Sequence, residues 1–257
     1  MHHGPDPARA GTVWACYRWF SMRMHVGTSG FSYDEWVGPF YPAQLGSDRR
    51  LAYYGERFST VEINNTFYRM PKREVLERWS AAVPDSFRFV IKASRAITHK
   101  GRLAGVEDSV EYLLGQLQSL GDKCGPILFQ TPPYLRKGVE RLSNFVALLP
   151  EGVRAAFEFR HESWDDPEVH EVLAKGGHAV CIGELDEVNP KRSLPRTAPW
   201  AVLRLHVRSY TDEQLEAWAE RIAETWDEAF VFFKHETTGP QLAKRMIAIA
   251  QQRGIEA

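Results

Sequence analysis

The sequence predicts a single α/β domain of the (β/α)8 TIM-type barrel class. Three observations carry this. About eight apolar runs of strand character alternate with helical patterns along 257 residues, and such alternation implies a parallel sheet. Eight units in one domain favour a closed barrel over an open doubly wound sheet. No Gly-x-Gly-x-x-Gly stands between a strand and a helix; the nearest candidate, Gly27-Thr28-Ser29-Gly30, runs into an aromatic loop, so a dinucleotide fold lacks its main support.

The strands are expected at 24–28, 60–64, 87–93, 126–130, 154–159, 178–182, 201–206 and 229–234. Helices are expected at 49–58, 73–83, 106–120, 139–149, 167–176, 212–226 and 240–253. The helix at 212–226 is the best signalled. Thr211 and Gln214 have the spacing of a capping box, and Leu215, Trp218, Ala219, Ile222 and Trp226 recur on one face. The segment 183–199 holds Pro190, Pro195 and Pro199 and has no helical period, so the sixth helix is expected to be short or replaced by a loop. Residues 1–23 read as an N-terminal extension, disordered or foreign to the native chain, and 24–257 as the barrel domain. The apolar stretch near Trp14 is short and is broken by Arg18, a poor signal peptide and too short to span a bilayer.

Composition sets outer limits. Hydrophobic residues make up 44% and charged residues 25% of the chain, enough for a large core, and the formal net charge is -1. That balance argues against a nucleic-acid or membrane-surface binder driven by bulk charge, and leaves a local basic groove open. Three cysteines without Cys-x-x-Cys spacing point away from a disulfide framework or thiolate zinc site and toward a reducing cytoplasm.

The candidate site follows from the period-two alternation of strand side chains. In Phe157-Glu158-Phe159-Arg160 the phenylalanines share one face, and Glu158 and Arg160 the other. Charge on the inner face of a buried strand is costly unless paired or used. The same reading turns Glu62 and Asn64, Lys92, Gln130, and Arg204 and His206 toward the barrel axis. Most of these lie near the carboxyl ends of their strands, where barrels of this class carry their sites. The surplus of Lys92, Arg160 and Arg204 over Glu62 and Glu158 favours an anionic ligand, since guanidinium forks recognise carboxylate and phosphate.

Glu62, Glu158 and His206 are therefore the catalytic candidates, one carboxylate serving as general base. The substrate-binding candidates are Tyr33, Trp36, Asn64, Lys92, His99, Gln130, Arg160, His161 and Arg204. Tyr33 and Trp36 either wall a pocket or cap the barrel by packing on one another. An internal ion-pair network remains the structural alternative. A metal-assisted phosphodiesterase or nuclease, with Glu62, Glu158, His206 and Glu184 around a divalent ion, is a second functional reading. A non-catalytic metabolite-binding protein is a third. The sequence names no cofactor, and oligomeric state is left open.

At these residues the chain resembles a known family, the domain-of-unknown-function family 72 or YecE-like proteins. The resemblance rests on the runs 27–33, 40–42, 61–68, 89–93, 97–99, 125–130, Pro132-Pro133, 158–161, Ser163-Trp164 and 204–206. It implies a (β/α)8-like barrel from Met24 onward and brings no settled reaction. Two places depart from the family pattern, Lys234-His235-Glu236 after the last strand and Gly183-Glu184-Leu185-Asp186 after the sixth.

Overall fold

The computed structural model describes residues 22–184, 193–234 and 237–257. Nine parallel strands form one sheet in the order β6-β5-β4-β3-β2-β1-β9-β8-β7. They are β1 (Arg23–Ser29), β2 (Thr60–Ile63), β3 (Arg88–Lys92), β4 (Cys124–Gln130), β5 (Ala155–Glu158), β6 (Ala179–Val180), β7 (Ile182–Glu184), β8 (Trp200–Leu205) and β9 (Glu228–Phe233). Only Cys181 separates β6 from β7. The two are halves of the predicted sixth strand, the first laddered to β5 and the second to β8. With β1 paired to both β2 and β9, the sheet curls into a nearly closed eight-position barrel.

The helices on the outside are α1 (Arg50–Gly55), α2 (Arg73–Ala81), α3 (Glu107–Leu117), α4 (Val139–Val146), α5 (Pro167–Lys175), α6 (Asp212–Thr225) and α7 (Gly239–Gln252). Each overlaps an expected segment; the first six are up to a few residues shorter, and α7 is shifted by one residue toward the N-terminus. The capping box opens α6 as predicted: Thr211 accepts from the Gln214 backbone N–H, and the Gln214 side chain accepts from that of Thr211. No regular helix lies among the described residues between β7 and β8; the rest of that connection, 185–192, falls outside them. The N-terminal boundary moves slightly. Met22 is fully buried and Arg23 begins β1, so the barrel starts before Met24; the remainder of the predicted extension lies outside the described residues. No helix among the described residues is long and apolar enough to cross a membrane.

The alternation along the strands separates two cores. Val61, Ile63, Phe89, Ile91, Phe129, Phe157, Leu203, Leu205, Val231 and Phe233 pack outward with the helix faces in one large cluster. Val90, Leu128, Ala156, Ala179, Cys181, Val202, Phe230 and Phe232 form a second, smaller cluster that fills the barrel interior. This apolar plug has polar groups at both ends. Below it, His25 stacks on Phe230 at 4.6 Å and bonds Glu228, which also accepts from Arg154 at 2.5 Å. Above it, the strands end in the candidate site.

Candidate functional site

The upper layer is built by the same alternation, two residues beyond the plug. Ser29, Glu62, Asn64, Lys92, Gln130, Glu158, Arg204 and His206 project from the carboxyl ends of six strands. Arg204 is the hub. Its Nε donates to Glu62 Oε2 at 2.8 Å and its Nη2 to Glu62 Oε1 at 3.1 Å, while Nη1 bonds Glu158 Oε2. Asn64 Nδ2 adds a bond to Glu62 Oε1 at 2.5 Å. Lys92 Nζ donates to Gln130 Oε1 at 2.8 Å and stands 4.6 Å from the centre of the Phe67 ring. His206 Nε2 lies 3.2 Å from Ser29 Oγ.

The electrostatics follow from this wiring. Burial alone would raise the Glu62 carboxyl, but the Arg204 charge and its hydrogen bonds outweigh burial and hold it down at about 2. Burial works against the Arg204 charge, and the two carboxylates more than offset it, so its pKa is raised. Burial pulls Lys92 down to about 8; Arg204 and Lys234 push the same way, against Glu62 and Glu158. Burial also lowers His206, to about 3, with Arg204, Lys234 and Lys92 adding to the effect, which makes the ring neutral across the physiological range. His99 is lowered first by burial and then by Lys92 and Arg160, which places both cations within its electrostatic reach.

Glu62 is wholly buried with both oxygens bonded, so it positions Arg204 and Asn64. Glu158 differs. Its Oε2 meets Arg204, while its Oε1 has no hydrogen bond among the described residues and lies across Gly183, where an added Cβ would stand 3.4 Å away. The missing side chain at Gly183 leaves room beside the one carboxylate oxygen of the layer that is free to act.

Other predicted residues sit at the edge or elsewhere. Arg160 is exposed and lies past the end of β5, which stops at Glu158; the expectation of an in-strand, inward Arg160 is corrected to a rim position. Lys234 has the same status after β9. His99 bonds Thr98 Oγ1 at 2.9 Å and meets the Phe67 ring edge-on at 4.8 Å, beside Lys92. His161 caps the short turn Glu162–Trp164 through Ser163 N. With Arg160 it lines a neighbouring cavity of about 620 Å³ that also includes Phe159, His170 and Cys181.

The first loop takes the packing alternative. Trp36 is 2% exposed and stacks among Tyr33, Phe40 and Tyr41, so it is core and not a pocket wall. The Tyr33 hydroxyl donates to Ser29 O at 2.6 Å and fastens the loop to the end of β1. Gly30 allows this closure: its φ is +87°, and a Cβ there would lie 2.6 Å from the Tyr33 hydroxyl. Glu184 leaves the predicted metal set, since it is buried against the helix layer, accepting from Tyr210 at 2.8 Å and from Trp218 Nε1 at 3.1 Å. Among the described residues no three His, Cys, Asp or Glu side chains are grouped to hold a metal ion. Ser29 in the layer and Lys234 at the rim are residues that strand alternation had not singled out. Ser29 was hidden in a glycine-flanked loop signal, and Lys234 stood out only as a departure in the last strand.

The family model for "Protein of unknown function DUF72" matches residues 25–256, essentially the whole barrel. The chain belongs to the DUF72 family. Among curated relatives, the UPF0759 proteins YecE of Escherichia coli are 29% identical over 164 and 157 residues, covering 63% and 60% of this chain and 58% and 55% of theirs. The chain thus matches a little over half the length of those relatives. The UPF0759 protein YunF of Bacillus subtilis is 25% identical over 257 residues, with 84% of this chain and 90% of that protein covered. A DUF72 family crystal structure from Thermotoga maritima superposes with a TM-score of 0.71 at 25% identity, covering 90% of this chain and 97% of the other. One from Enterococcus faecalis gives 0.73 at 19% identity over 89% and 95%, a likeness of fold. The DUF72 barrel is therefore the scaffold on which the Arg204-centred layer is built.

Proposed function

We propose that the barrel mouth binds a small anionic or phosphorylated compound, sugar-like in size, and acts on it by acid/base chemistry. One observation carries this reading. Arg204 consumes Glu62 and Glu158, while Lys92, Arg160 and Lys234 have no carboxylate partner among the described residues. Arg204 offsets only one of the two carboxylate charges it binds, and the three further cations near the strand ends turn the balance positive, a field that a carboxylate or phosphate would satisfy. Glu158 is the residue placed to move a proton, through its unbonded Oε1. Neutral His206, tied to Ser29, orients a hydroxyl or carbonyl, with Asn64 and Gln130 as further polar contacts.

The metal-assisted hydrolase is the weaker reading, because the guanidinium of Arg204 already occupies the place between the two acids where a divalent ion would have to sit. Chelator treatment followed by a melting measurement separates the two. The test of the main reading is a thermal-shift series with inorganic phosphate, sugar phosphates and dicarboxylates on the wild type and Arg160→Ala. Arg160 makes no ion pair among the described residues, so its loss leaves the unliganded melting temperature unchanged and weakens the response to phosphate. An undiminished response in Arg160→Ala overturns the assignment. Glu158→Gln then separates an enzyme from a binding protein: retained ligand stabilisation with lost turnover marks catalysis.

A further inference from the structure

Lys92 is the least expected member of the mouth. It is partly buried at the end of β3, yet no carboxylate lies within ion-pair distance of it among the described residues. The groups facing it are Gln130 from β4, Phe67 from the turn after β2, His99 from the turn after β3, His206, the charges of Arg204 and Lys234 from β8 and the end of β9, and Glu62 and Glu158, both turned toward Arg204. A lysine meant only to bind anions gains nothing from such a setting, which works against its own charge. A lysine meant to react gains a free electron pair. Gln130 Oε1 fixes the direction of Nζ, and the Phe67 ring shields one side of it.

We propose that Lys92 forms a Schiff base with the aldehyde or keto group of an anionic substrate held at the barrel mouth. This rests on the anion-binding reading above, and it narrows the substrate class to carbonyl compounds that also carry phosphate or carboxylate. The neutral amine adds its lone pair to the carbonyl carbon. A C–N bond forms, the carbonyl π bond opens, and the proton shed by nitrogen ends on the oxygen, giving a carbinolamine. That hydroxyl takes a second proton from solvent at the open rim and leaves as water, and the nitrogen lone pair closes the protonated imine. Nothing is oxidised or reduced. Once formed, the imine draws electrons from the adjacent carbon, where Glu158 Oε1 is available to remove a proton. The depressed basicity of Lys92, about 8, leaves a usable fraction of free amine near neutrality.

The test uses two probe aldehydes, pyridoxal 5′-phosphate and pyridoxal, at limiting amounts, followed by borohydride reduction and peptide mapping of the intact protein. We expect Lys92 to be labelled about tenfold faster than the average lysine, the amine fraction at neutral pH being on the order of a hundredfold higher than at an ordinary lysine. Phosphate on the aldehyde should speed labelling further, and inorganic phosphate should slow it. Labelling spread evenly over the lysines, in a protein that inorganic phosphate still stabilises, overturns the Schiff base and leaves the anion site standing. Preferred labelling of Lys92 by both aldehydes alike, without protection by phosphate, upholds the reactive amine and overturns the anion site. Lys92→Arg, which keeps the charge and cannot form an imine, should retain stabilisation by inorganic phosphate.

Discussion

Arg204 grips Glu62 with two parallel hydrogen bonds, at 2.8 and 3.1 Å, across the middle of the barrel from β8 to β2. The third bond of the same guanidinium reaches Glu158 on β5. One side chain thus ties three separate strands, and most of what the mouth can do depends on its charge.

Removing that charge should be expensive. Arg204→Met fits the volume and leaves two buried carboxylates without a charged partner. A buried pair broken on one side costs about 3–5 kcal/mol. Urea unfolding should show a loss of this size for Arg204→Met. Adding Glu62→Gln and Glu158→Gln should return a large part of it. A loss below about 1 kcal/mol in the single variant would mean that the acids find another partner.

Acid should destabilise the protein in two overlapping steps. Glu62 titrates near 2 when folded and near 4.5 as a free side chain. Its contribution is therefore complete above 4.5 and is lost as pH falls toward 2, on the order of 3 kcal/mol by linkage. His206 acts in the same direction. Its folded value near 3 lies below 6.5, so between those limits the unfolded chain takes up a proton that the folded one refuses. Stability measured by denaturant between pH 7 and pH 3 should fall throughout, and the slope above pH 5 should flatten in His206→Gln.

Lys92 acts in the same direction on the alkaline side. Its folded pKa near 8 lies below the ordinary 10.5, so the unfolded chain binds the extra proton between them. Stability should rise as pH increases from 8 to 10.5 through this group. At neutral pH Lys92→Met should melt higher than wild type. An equal or lower melting point for Lys92→Met would show that the lysine is well accommodated.

Gly27 tests the packing beneath the site. A Cβ there would fall 2.0 Å from Thr60 O and 2.9 Å from the Tyr54 hydroxyl. That hydroxyl accepts from Thr28 N at 2.8 Å and donates to Thr60 O at 3.0 Å, closing the junction of β1, β2 and α1. Gly27→Ala must part β1 from β2 locally and should cost about 3 kcal/mol or more by overpacking. Calorimetry would detect it directly.

Strand alternation made much of this legible in the sequence. A period of two turns Glu62, Lys92, Gln130, Glu158 and Arg204 to one face whatever the loops do, and a barrel brings those faces together. Alternation fails where the strand stops. Arg160 keeps the parity of Glu158, but β5 ends before it, so its direction is set by the turn in which Phe159 stacks flat on Trp164 at 4.4 Å. Trp36 illustrates a different ambiguity. An aromatic loop looks the same in sequence whether its rings line a pocket or fill each other's gaps, and only the contacts with Phe40 and Tyr41 decide. The partners of Glu184 come from α6 and from the loop before it, through long-range packing that no local pattern records. The pairing was equally hidden: the sequence places more basic than acidic candidates at the mouth, and only the bonds of Arg204 show that both acids share one guanidinium.

The interruption at Cys181 gives the cylinder a seam. Ala179 and Val180 are zipped to β5 alone, and Ile182 to Glu184 to β8 alone, so none of these five residues is stitched on both flanks as the central residues of the other strands are. Amide exchange should be fastest here among the strands. Because Gly183 lies on this stretch directly against Glu158, any breathing of the seam widens the space around a carboxylate oxygen that is unbonded among the described residues, without disturbing the clasp on the far side.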